Sequence, residues 1–380
     1  MQKLIRKNSY KKIKVAVPSL GIEEYKRIKE VIFNGKIVSG KYVQEFEKKF
    51  SKFVGTKYAC AVNSGTAALH TALKCLDLKP GDEVIVPAIS FMSTATAVLH
   101  NNCIPKFCDV SLEDFCIDVN DLKKKISTKT KAVIIVHFTG NVCNMTAIKK
   151  ILKNKNIYLI EDCAQAHGSK YKNKPVGSFG DISCFSFYTT KHMTTGEGGI
   201  LCYNSTKYDK ISKIFRNHGL ISRDEHSMLG YNYRMNEISA LIGIEQLKKI
   251  NPISKKRINN SKYLIKKLSK IKQNWFTLQK IPKYSIHTFF WIALRVLDKK
   301  NSLKNIISKL QKYGIEVRSR YQYPLYKHKV FLNHNNKVQN YKKLFLPNAE
   351  KLSGNIFGLP NHHKLSRKDL DYIINVISII

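Results

Sequence analysis

Short apolar runs alternate with segments of helical spacing through the first two thirds of the chain. Between the runs, apolar residues recur every three to four positions, as they do in amphipathic helices. Continuous apolar runs of this kind are typical of strands covered on both faces, which occur in a largely parallel sheet between layers of helices. The pattern therefore predicts an α/β fold. The predicted strands are 58–62, 83–87, 105–110, 132–136, 157–160, 182–185 and 200–203.

The last third of the chain predicts a smaller α+β unit. A helix expected from 236 to 249 is followed by Asn251 and Pro252, and proline disfavours continuation of a helix. We therefore predict a large domain of residues 1–250 and a small C-terminal domain of residues 251–380. The elements expected in the small domain are strands at 288–296 and 315–318, a helix at 302–313, and a final helix at 367–379 with Ser366 as its N-cap.

The chain is strongly basic, with 66 Lys and Arg residues against 27 Asp and Glu and a formal net charge of +39. Such a charge suggests a polyanionic partner. However, the lysines are spread along nearly the whole chain, and no zinc finger, RNP-like motif or long arginine-rich segment accompanies them. We therefore expect no nucleic-acid partner. A phosphorylated small molecule would suit the charge equally well.

The cysteine pattern indicates a reducing compartment. All nine cysteines lie in the first 202 residues, no Cys-x-x-Cys pair occurs, and several lie inside apolar runs. This pattern favours buried free thiols over disulfides or a zinc site. The first twenty residues are basic and contain no long apolar run, so we expect neither a signal peptide nor a membrane span. The sequence predicts a cytoplasmic protein that binds no metal.

One lysine lies in a polar, glycine-ending turn directly after a predicted strand. Lys191 is flanked by threonines in the segment 186–199, which follows the strand 182–185. Reactive groups in α/β folds commonly lie in loops at the ends of strands. The residues alone leave two interpretations open, because Lys191 is either a catalytic amine or an ordinary solvated loop lysine.

Two further segments at strand ends could belong to the same site. Asp162 follows the strand 157–160, and a carboxylate there loses hydration unless it meets a cation or hydrogen-bond donors. Gly65 and Thr66 lie between a strand and a helix, where free N–H groups and the helix dipole attract an anion. Each segment also has a simpler explanation as a helix N-cap, and the residues themselves do not decide.

Seven motifs occur in order along the chain. They are NSGTAAL (63–69), GDEVIVP (81–87), EDCAQAHG (161–168), SFYTTK (186–191), GEGG (196–199), RNHG (216–219) and GYNYRM (230–235). Together they strongly resemble the DegT/DnrJ/EryC1/StrS family of sugar aminotransferases, from about Val15 to the final helix. The resemblance implies a pyridoxal-phosphate enzyme of fold type I, with a mixed, mostly parallel sheet in the large domain and a smaller C-terminal α+β domain.

The resemblance also implies roles for individual residues toward the cofactor. Lys191 would hold pyridoxal phosphate covalently through its amine and carry a proton during the reaction. Asp162 would pair with the pyridine nitrogen, Gln165 would contact the 3-oxygen, and Phe91 would stack on the ring. The phosphate would be held by Gly65, Thr66 and Ser186.

Residues of the later motifs are implied to face a second subunit and the substrate. Asn232 would reach the phosphate in a neighbouring subunit, which implies a homodimer with shared active sites. Asn217, His218 and Tyr323 line up with segments that face the sugar nucleotide. Several relatives carry His-Tyr-Pro where this chain has Gln322-Tyr323-Pro324, so this contact departs from the family pattern.

The implied function is transfer of an amino group, with glutamate as donor, to a keto carbon of a nucleotide-linked deoxysugar. C4 is favoured over C3 because the segments 231–235 and 314–318 look closest to perosamine synthases. One alternative is a pyridoxamine-dependent sugar dehydratase, but such relatives carry histidine at the position of Lys191. The other alternative is a non-catalytic regulatory or nucleic-acid-binding protein that keeps the fold.

Overall fold

The computed structural model describes residues 12–271, 275–297, 302–333 and 339–380. The basic amino-terminal tail at residues 1–11 lies outside this range. The helices are α1 Ile22–Asn34, α2 Lys41–Val54, α3 Gly65–Cys75, α4 Ser93–His100, α5 Val119–Lys125, α6 Met145–Leu152, α7 Thr206–Phe215, α8 Glu237–Leu268, α9 Leu303–Lys312, α10 Lys329–Leu332, α11 Pro347–Leu352 and α12 Arg367–Ile377.

The strands are also numbered in the order in which they occur along the chain. They are β1 Tyr58–Val62, β2 Glu83–Pro87, β3 Ile104–Cys108, β4 Thr130–Val136, β5 Tyr158–Asp162, β6 Lys170–Tyr171, β7 Lys174–Pro175, β8 Ile182–Ser186, β9 Gly199–Tyr203, β10 Leu220–Ser222, β11 Glu225–His226, β12 Phe276–Leu278, β13 Ser285–Ile286, β14 Ile292–Val296 and β15 Ile356–Leu359. Short 3₁₀ helices occur at Phe138–Gly140 and Leu325–Lys327.

A seven-stranded sheet forms the centre of the fold, in the order β1-β9-β8-β5-β4-β2-β3. Strands β3, β2, β4, β5 and β8 are parallel to one another, whereas β9 is antiparallel to both β8 and β1. The strands β2, β8 and β9 are buried along their full length, as expected for a sheet covered on both faces. The predicted mixed, mostly parallel α/β architecture is therefore confirmed, and each end of the predicted strands lies within two residues of the observed one.

The C-terminal part forms a second sheet with its own core. Strands β12, β14 and β15 make a three-stranded antiparallel sheet. Apolar residues of this sheet pack with α8, α9 and α12 in a core that also receives Ile13 from the amino-terminal side. The final helix begins as expected, because the Ser366 side chain accepts a hydrogen bond from the backbone N–H of Asp369.

The predicted helix break at Asn251 and Pro252 is wrong, because α8 continues through both residues to Leu268. Proline cannot donate the backbone hydrogen bond that an interior helix position normally makes. Burial compensates for this loss, since Ile250 and Ile253 on either side are buried. Further along, Arg257 donates hydrogen bonds to the carbonyls of residues 289 and 290. The division into domains 1–250 and 251–380 stays a prediction, and its boundary falls inside this helix.

The predicted strand at 315–318 is also wrong. Ile315 forms one isolated parallel bridge with Ile13, and Arg318 forms one isolated antiparallel bridge with Gly358. The segment is therefore extended but does not continue a ladder. The preceding strand also begins later than expected, at Ile292 instead of residue 288.

Candidate active site

A cavity of about 350 Å³ opens at the carboxyl ends of the central strands. Ligands in open α/β sheets commonly bind at this edge. The residues expected to bind the cofactor within one chain all line this cavity. They are Gly65, Thr66, Phe91, Asp162, Gln165, Ser186 and Lys191.

Lys191 lies in the turn that follows β8. Its backbone N–H donates to the carbonyl of Tyr188 at 2.8 Å, and its Nζ lies 4.8 Å from the centroid of the Phe290 ring. The pKa of the amine is lowered to about 8, mainly by burial; Asp162 opposes this shift, and the nearby guanidinium groups of Arg318 and Arg320 contribute to it. A lysine of this kind supplies more of the neutral, nucleophilic amine near pH 7 than an exposed lysine does.

Asp162 ends β5 and is buried, with 4% of its surface exposed. Its carboxylate accepts hydrogen bonds from Thr94 Oγ1 at 2.9 Å and from the backbone N–H of Ala164 at 3.1 Å. Burial raises the pKa of this carboxyl, while the two donors and Lys191 lower it. No residue in the described parts of the chain forms an ion pair with Asp162. The carboxyl group is therefore buried without a cationic ion-pair partner in this part of the chain.

Gln165 is fixed at both ends of its amide. Its Oε1 accepts from the backbone N–H of Thr139 at 2.8 Å, and its Nε2 donates to the hydroxyl of Tyr321 at 3.2 Å. Phe91 is different, since 52% of its surface is exposed although it lines the cavity. An aromatic ring that the protein leaves uncovered is available to stack on a flat ligand.

The start of α3 forms a tight cradle beside the cavity. Ser64 is the N-cap of the helix, and its Oγ accepts from the backbone N–H of Ala67 at 3.1 Å. A methyl group at Gly65 would lie 2.7 Å from Cβ of Ser186, and one at Gly199 would lie 2.2 Å from the carbonyl oxygen of Ser64. Only glycine fits at both positions. The N–H groups at the first turn of α3 are thereby brought close to β8, an arrangement suited to a phosphate.

The remaining predicted residues lie elsewhere on the chain. None of Asn217, His218, Asn232 and Tyr323 is among the described residues that line the cavity. Asn217 and Asn232 pair with each other in an isolated bridge, and Asn217 Oδ1 accepts from Arg234 Nη1 at 2.6 Å. Tyr323 is 56% exposed. The roles that the resemblance implies for these four residues therefore stay predictions.

The structure also adds cavity residues that the sequence did not single out. Phe290, Trp291, Arg318 and Arg320 all line the cavity, and they belong to the C-terminal part of the chain. Tyr321, two residues before the predicted substrate contact Tyr323, lines the cavity as well. Both arginines lie outside the seven motifs, and although Arg318 ends the segment 314–318 that looks closest to perosamine synthases, no local pattern assigned either arginine to the site.

All nine cysteines are free and buried, as the sequence predicted. One buried group, His137, Glu161 and Cys163, has its ligand atoms within 4.8 Å of one another. The Glu161 carboxylate is already occupied, because it hydrogen-bonds with His137 Nε2 at 3.0 Å and accepts from three backbone N–H groups in the segment 177–180. These contacts give the cluster a structural role in holding that segment. Among the described helices, none is long and apolar enough to cross a bilayer.

Three features meet at one edge of the sheet. They are an amine with a lowered pKa, a buried carboxylate without an ion-pair partner among the described residues, and a glycine cradle at the start of a helix. A pyridoxal-phosphate site of fold type I is built from these features. Sequence comparison agrees with this class. The chain belongs to the DegT/DnrJ/EryC1/StrS aminotransferase family, whose sequence profile matches residues 18–378.

Individual relatives cover nearly the whole chain. GDP-perosamine synthase of Escherichia coli O157:H7 is 37% identical over 379 residues, which is 97% of this chain and 98% of that protein. Among solved structures, the Helicobacter pylori aminotransferase PseC, involved in pseudoaminic acid biosynthesis, superposes with a TM-score of 0.89 at 28% identity, covering 97% of this chain and 98% of its own. An E. coli GDP-4-keto-6-deoxy-D-mannose-3-dehydratase gives 0.87 at 29% identity, covering 96% and 98%.

Family membership and structure confirm the main predictions from the sequence. The chain is a pyridoxal-phosphate-dependent aminotransferase of fold type I. The cavity residues fit the cofactor, since a buried carboxylate without an internal cation suits the pyridine nitrogen and the glycine cradle suits the phosphate.

Proposed function

We propose that this enzyme transfers an amino group from glutamate to the C4 keto carbon of a nucleotide-linked deoxysugar. One observation carries the proposal. The chain is similar over nearly its full length to a GDP-perosamine synthase, and the lysine this chemistry requires lies in the cavity together with Asp162 and the cradle of Gly65 and Ser186. The basic character of the chain also suits a substrate that carries a diphosphate.

The cavity residues divide the task of binding the cofactor. Asp162 pairs with the pyridine nitrogen, Gln165 contacts the 3-oxygen, and Phe91 stacks on the ring. The backbone at Gly65 and Thr66, with the hydroxyl of Ser186, holds the phosphate. These roles are supported by the position of each residue in the cavity. When bound, the cofactor supplies an electron sink for the carbon that loses or gains a proton.

Lys191 anchors the cofactor and acts as the base. Its amine is nucleophilic because burial lowers its pKa to about 8. With the cofactor and the amino donor bound, Nζ would take the proton from the α-carbon of the donor and would return a proton in the second half of the reaction. The ring of Phe290, 4.8 Å from Nζ, covers the amine on one side and restricts where the proton can be delivered.

We further propose a homodimer, in which the partner subunit's Asn232 completes the phosphate site. The support is the position of Asn232 away from its own cavity, together with a large apolar surface on the amino-terminal side of the chain. On and beside α1, Tyr25 is 64% exposed, Phe33 77% and Val38 64%. Apolar surface of this extent is typical of an interface between subunits.

The finer assignments follow from the same arrangement. Asn217 and His218 lie next to the Asn232 segment in the chain's own fold, so we assign them to binding of the sugar nucleotide in the neighbouring subunit's site. We assign Tyr323 to binding of the sugar nucleotide at the outer end of the site in its own chain. We place the enzyme in the cytoplasm, because nine buried free thiols persist most readily in a reducing compartment.

The competing function is dehydration of the sugar at C3, since a dehydratase is among the structural neighbours. Dehydratases of this group carry histidine where this chain has Lys191. A covalently bound cofactor therefore favours the transaminase, and His192 does not substitute for Lys191 because it is buried and its Nε2 hydrogen-bonds with the carbonyl of Thr288 at 3.2 Å.

The test is an assay with ¹⁵N-labelled glutamate and a panel of GDP-, UDP- and dTDP-linked 4-keto-6-deoxysugars. We expect the label to appear at C4 of one nucleotide sugar, located by mass spectrometry and NMR. A product that has lost its C3 hydroxyl and carries no label would identify a dehydratase. Absence of label from every member of the panel would refute the proposed substrate class.

A further inference from the structure

The segment that contains Asn232 is paired with backbone on both of its sides. On one side, the N–H groups of Tyr231 and Tyr233 donate to the carbonyls of residues 215 and 216 at 2.8 and 2.9 Å. On the other side, the carbonyl of Tyr233 accepts from the N–H of Asn63 at 2.9 Å, and Arg234 forms an antiparallel bridge with Val62. The segment 231–234 is therefore held between the end of β1 and the end of α7, as a strand is held between its neighbours.

The two tyrosines on either side of Asn232 anchor the segment in one direction. Their rings stack on each other at 5.0 Å with an interplanar angle of 10°, and both pack against the ring of His70 on α3, at 5.1 and 5.9 Å. The hydroxyl of Tyr233 also hydrogen-bonds with His70 Nδ1 at 3.0 Å. Because successive side chains of a strand point to opposite faces, Asn232 lies on the face away from both tyrosine rings. Asn232 is exposed, and its side-chain amide hydrogen-bonds with no described residue.

Asn63 supplies a side-chain contact to this segment. Its Nδ2 donates to the backbone carbonyl of Asn232 at 3.2 Å, and within the described residues this carbonyl has no other hydrogen bond. The bond restricts rotation of the peptide plane that joins Asn232 to Tyr233, so it narrows the directions that the Asn232 side chain can take. Asn63 directly precedes Ser64 and Gly65 of the cradle, yet, unlike them, it is not among the described residues that line the cavity of its own chain.

We propose that Asn63 is a positioning residue for the site of the neighbouring subunit. By holding the carbonyl of Asn232, it keeps the amide of that residue in the orientation that binds the cofactor phosphate across the interface. The inference rests on the proposed homodimer, in which Asn232 completes the phosphate site of the other chain. It gives the motif NSGTAAL two tasks, because Gly65 and Thr66 serve the phosphate of their own chain while Asn63 serves that of the other. Loss of Asn63 should thus damage the site in which it does not lie.

The first measurement is the affinity of the dimer for pyridoxal phosphate, read as the amount of cofactor fixed by borohydride at each cofactor concentration. We expect Asn63→Ala to weaken this affinity about threefold to tenfold, less than the loss of a whole hydrogen bond to a charged group. Because both residues act through one contact, Asn63→Ala should add nothing further in a protein that already carries Asn232→Ala. Asn375→Ala, which removes an exposed amide on α12, is the matched control and should leave the affinity unchanged.

Hybrid dimers, made by co-expressing two chains with different affinity tags, show in which subunit Asn63 acts. Lys191→Ala removes the amine that borohydride fixes to the cofactor, so a dimer with one Lys191→Ala chain reports on the site of the other chain alone. With Asn63→Ala on the chain that keeps Lys191, the reporting site should bind the cofactor as tightly as in a hybrid of wild-type and Lys191→Ala chains. With Asn63→Ala and Lys191→Ala on the same chain, the reporting site belongs to the wild-type chain, and it should bind the cofactor about threefold to tenfold more weakly.

Three results would overturn this inference alone. They are unchanged affinity in the Asn63→Ala homodimer, equal weakening in both hybrids, or the reverse pattern, in which Asn63→Ala weakens the site of its own chain. The same hybrids carrying Asn232→Ala separate these results from failure of the proposed function. A monomer in sedimentation velocity, or an effect of Asn232→Ala confined to its own chain, would refute the shared site itself and this inference with it.

Discussion

Replacement of Lys191 by methionine should stabilise the cofactor-free protein at neutral pH. The amine has a pKa of about 8 in the folded protein against 10.5 for an ordinary lysine, with burial as the main cause. This difference corresponds to at most roughly 3 kcal/mol of folding free energy lost at pH 7. Methionine has a similar length, carries no charge and gives up only a cation–π contact with Phe290, worth about 0.5–1 kcal/mol. The variant should therefore be more stable than the wild type by about 2 kcal/mol at pH 7.

The direction of the pKa shift of Lys191 determines how the stability difference between the two proteins changes with pH. Below pH 8 the amine is charged in both the folded and the unfolded chain, so the wild type bears the full penalty. Between pH 8 and 10.5 the folded protein releases its proton first, and the penalty disappears as the pH rises. The advantage of Lys191→Met should thus shrink by roughly 2 kcal/mol between pH 7 and pH 9.5.

Urea unfolding of the cofactor-free proteins at these two pH values measures the difference directly. Lys368→Met, which replaces an exposed lysine on α12, is the matched control for the substitution itself. If the stability gap between Lys191→Met and the wild type were the same at pH 7 and pH 9.5, the amine would not be desolvated and the reasoning about its reactivity would be refuted.

Three further substitutions test other parts of the site. Asp162→Asn should weaken pyridoxal-phosphate affinity by at least about tenfold in a fluorescence titration. The cofactor-free variant should be no less stable than the wild type, because the substitution removes a buried carboxylate that has no cation among the described residues. A large loss of stability would contradict this. Gly65→Ala would bring a methyl group to 2.7 Å from a carbon on β8, so it should lower the free energy of unfolding by about 1–3 kcal/mol and also weaken cofactor binding. The control Gly21→Ala, whose methyl group would have its nearest contact at 3.4 Å, should lower the free energy of unfolding less. Equal effects of the two substitutions would argue against the cradle. Phe33→Asp should shift the protein from dimer to monomer in sedimentation velocity, while Phe345→Asp, also at an exposed aromatic position, should not; an unchanged dimer in both variants would remove α1 from the interface.

The sequence was informative about the central sheet because each strand there is a continuous apolar run bounded by polar turns. Parallel strands bring their carboxyl ends to one edge, so the sequence alone could assign residues far apart along the chain, such as Gly65, Asp162 and Lys191, to one site. The resemblance to a known family then gave each of them a role. The structure places all three in the same cavity.

The sequence was less informative where tertiary packing overrides a local rule. Pro252 suggested a helix end, but burial of Ile250 and Ile253 holds α8 together across it. Arg318 and Arg320 lie outside the seven motifs that pointed to the site, and the tertiary fold brings them to the cavity. The role proposed for Asn232 rests on a second subunit, so the contacts of Asn232 within one chain, such as its bridge with Asn217, do not test it.

The central claim is that Lys191 anchors the cofactor of a transaminase. Sodium borohydride makes the attachment of an aldehyde to an amine irreversible, so the most direct measurement is reduction of the holoenzyme followed by peptide mapping by mass spectrometry. We predict that the pyridoxyl phosphate mass is found on the peptide that contains Lys191. A cofactor that remains free after reduction, or that is attached mainly to another lysine, would contradict the account.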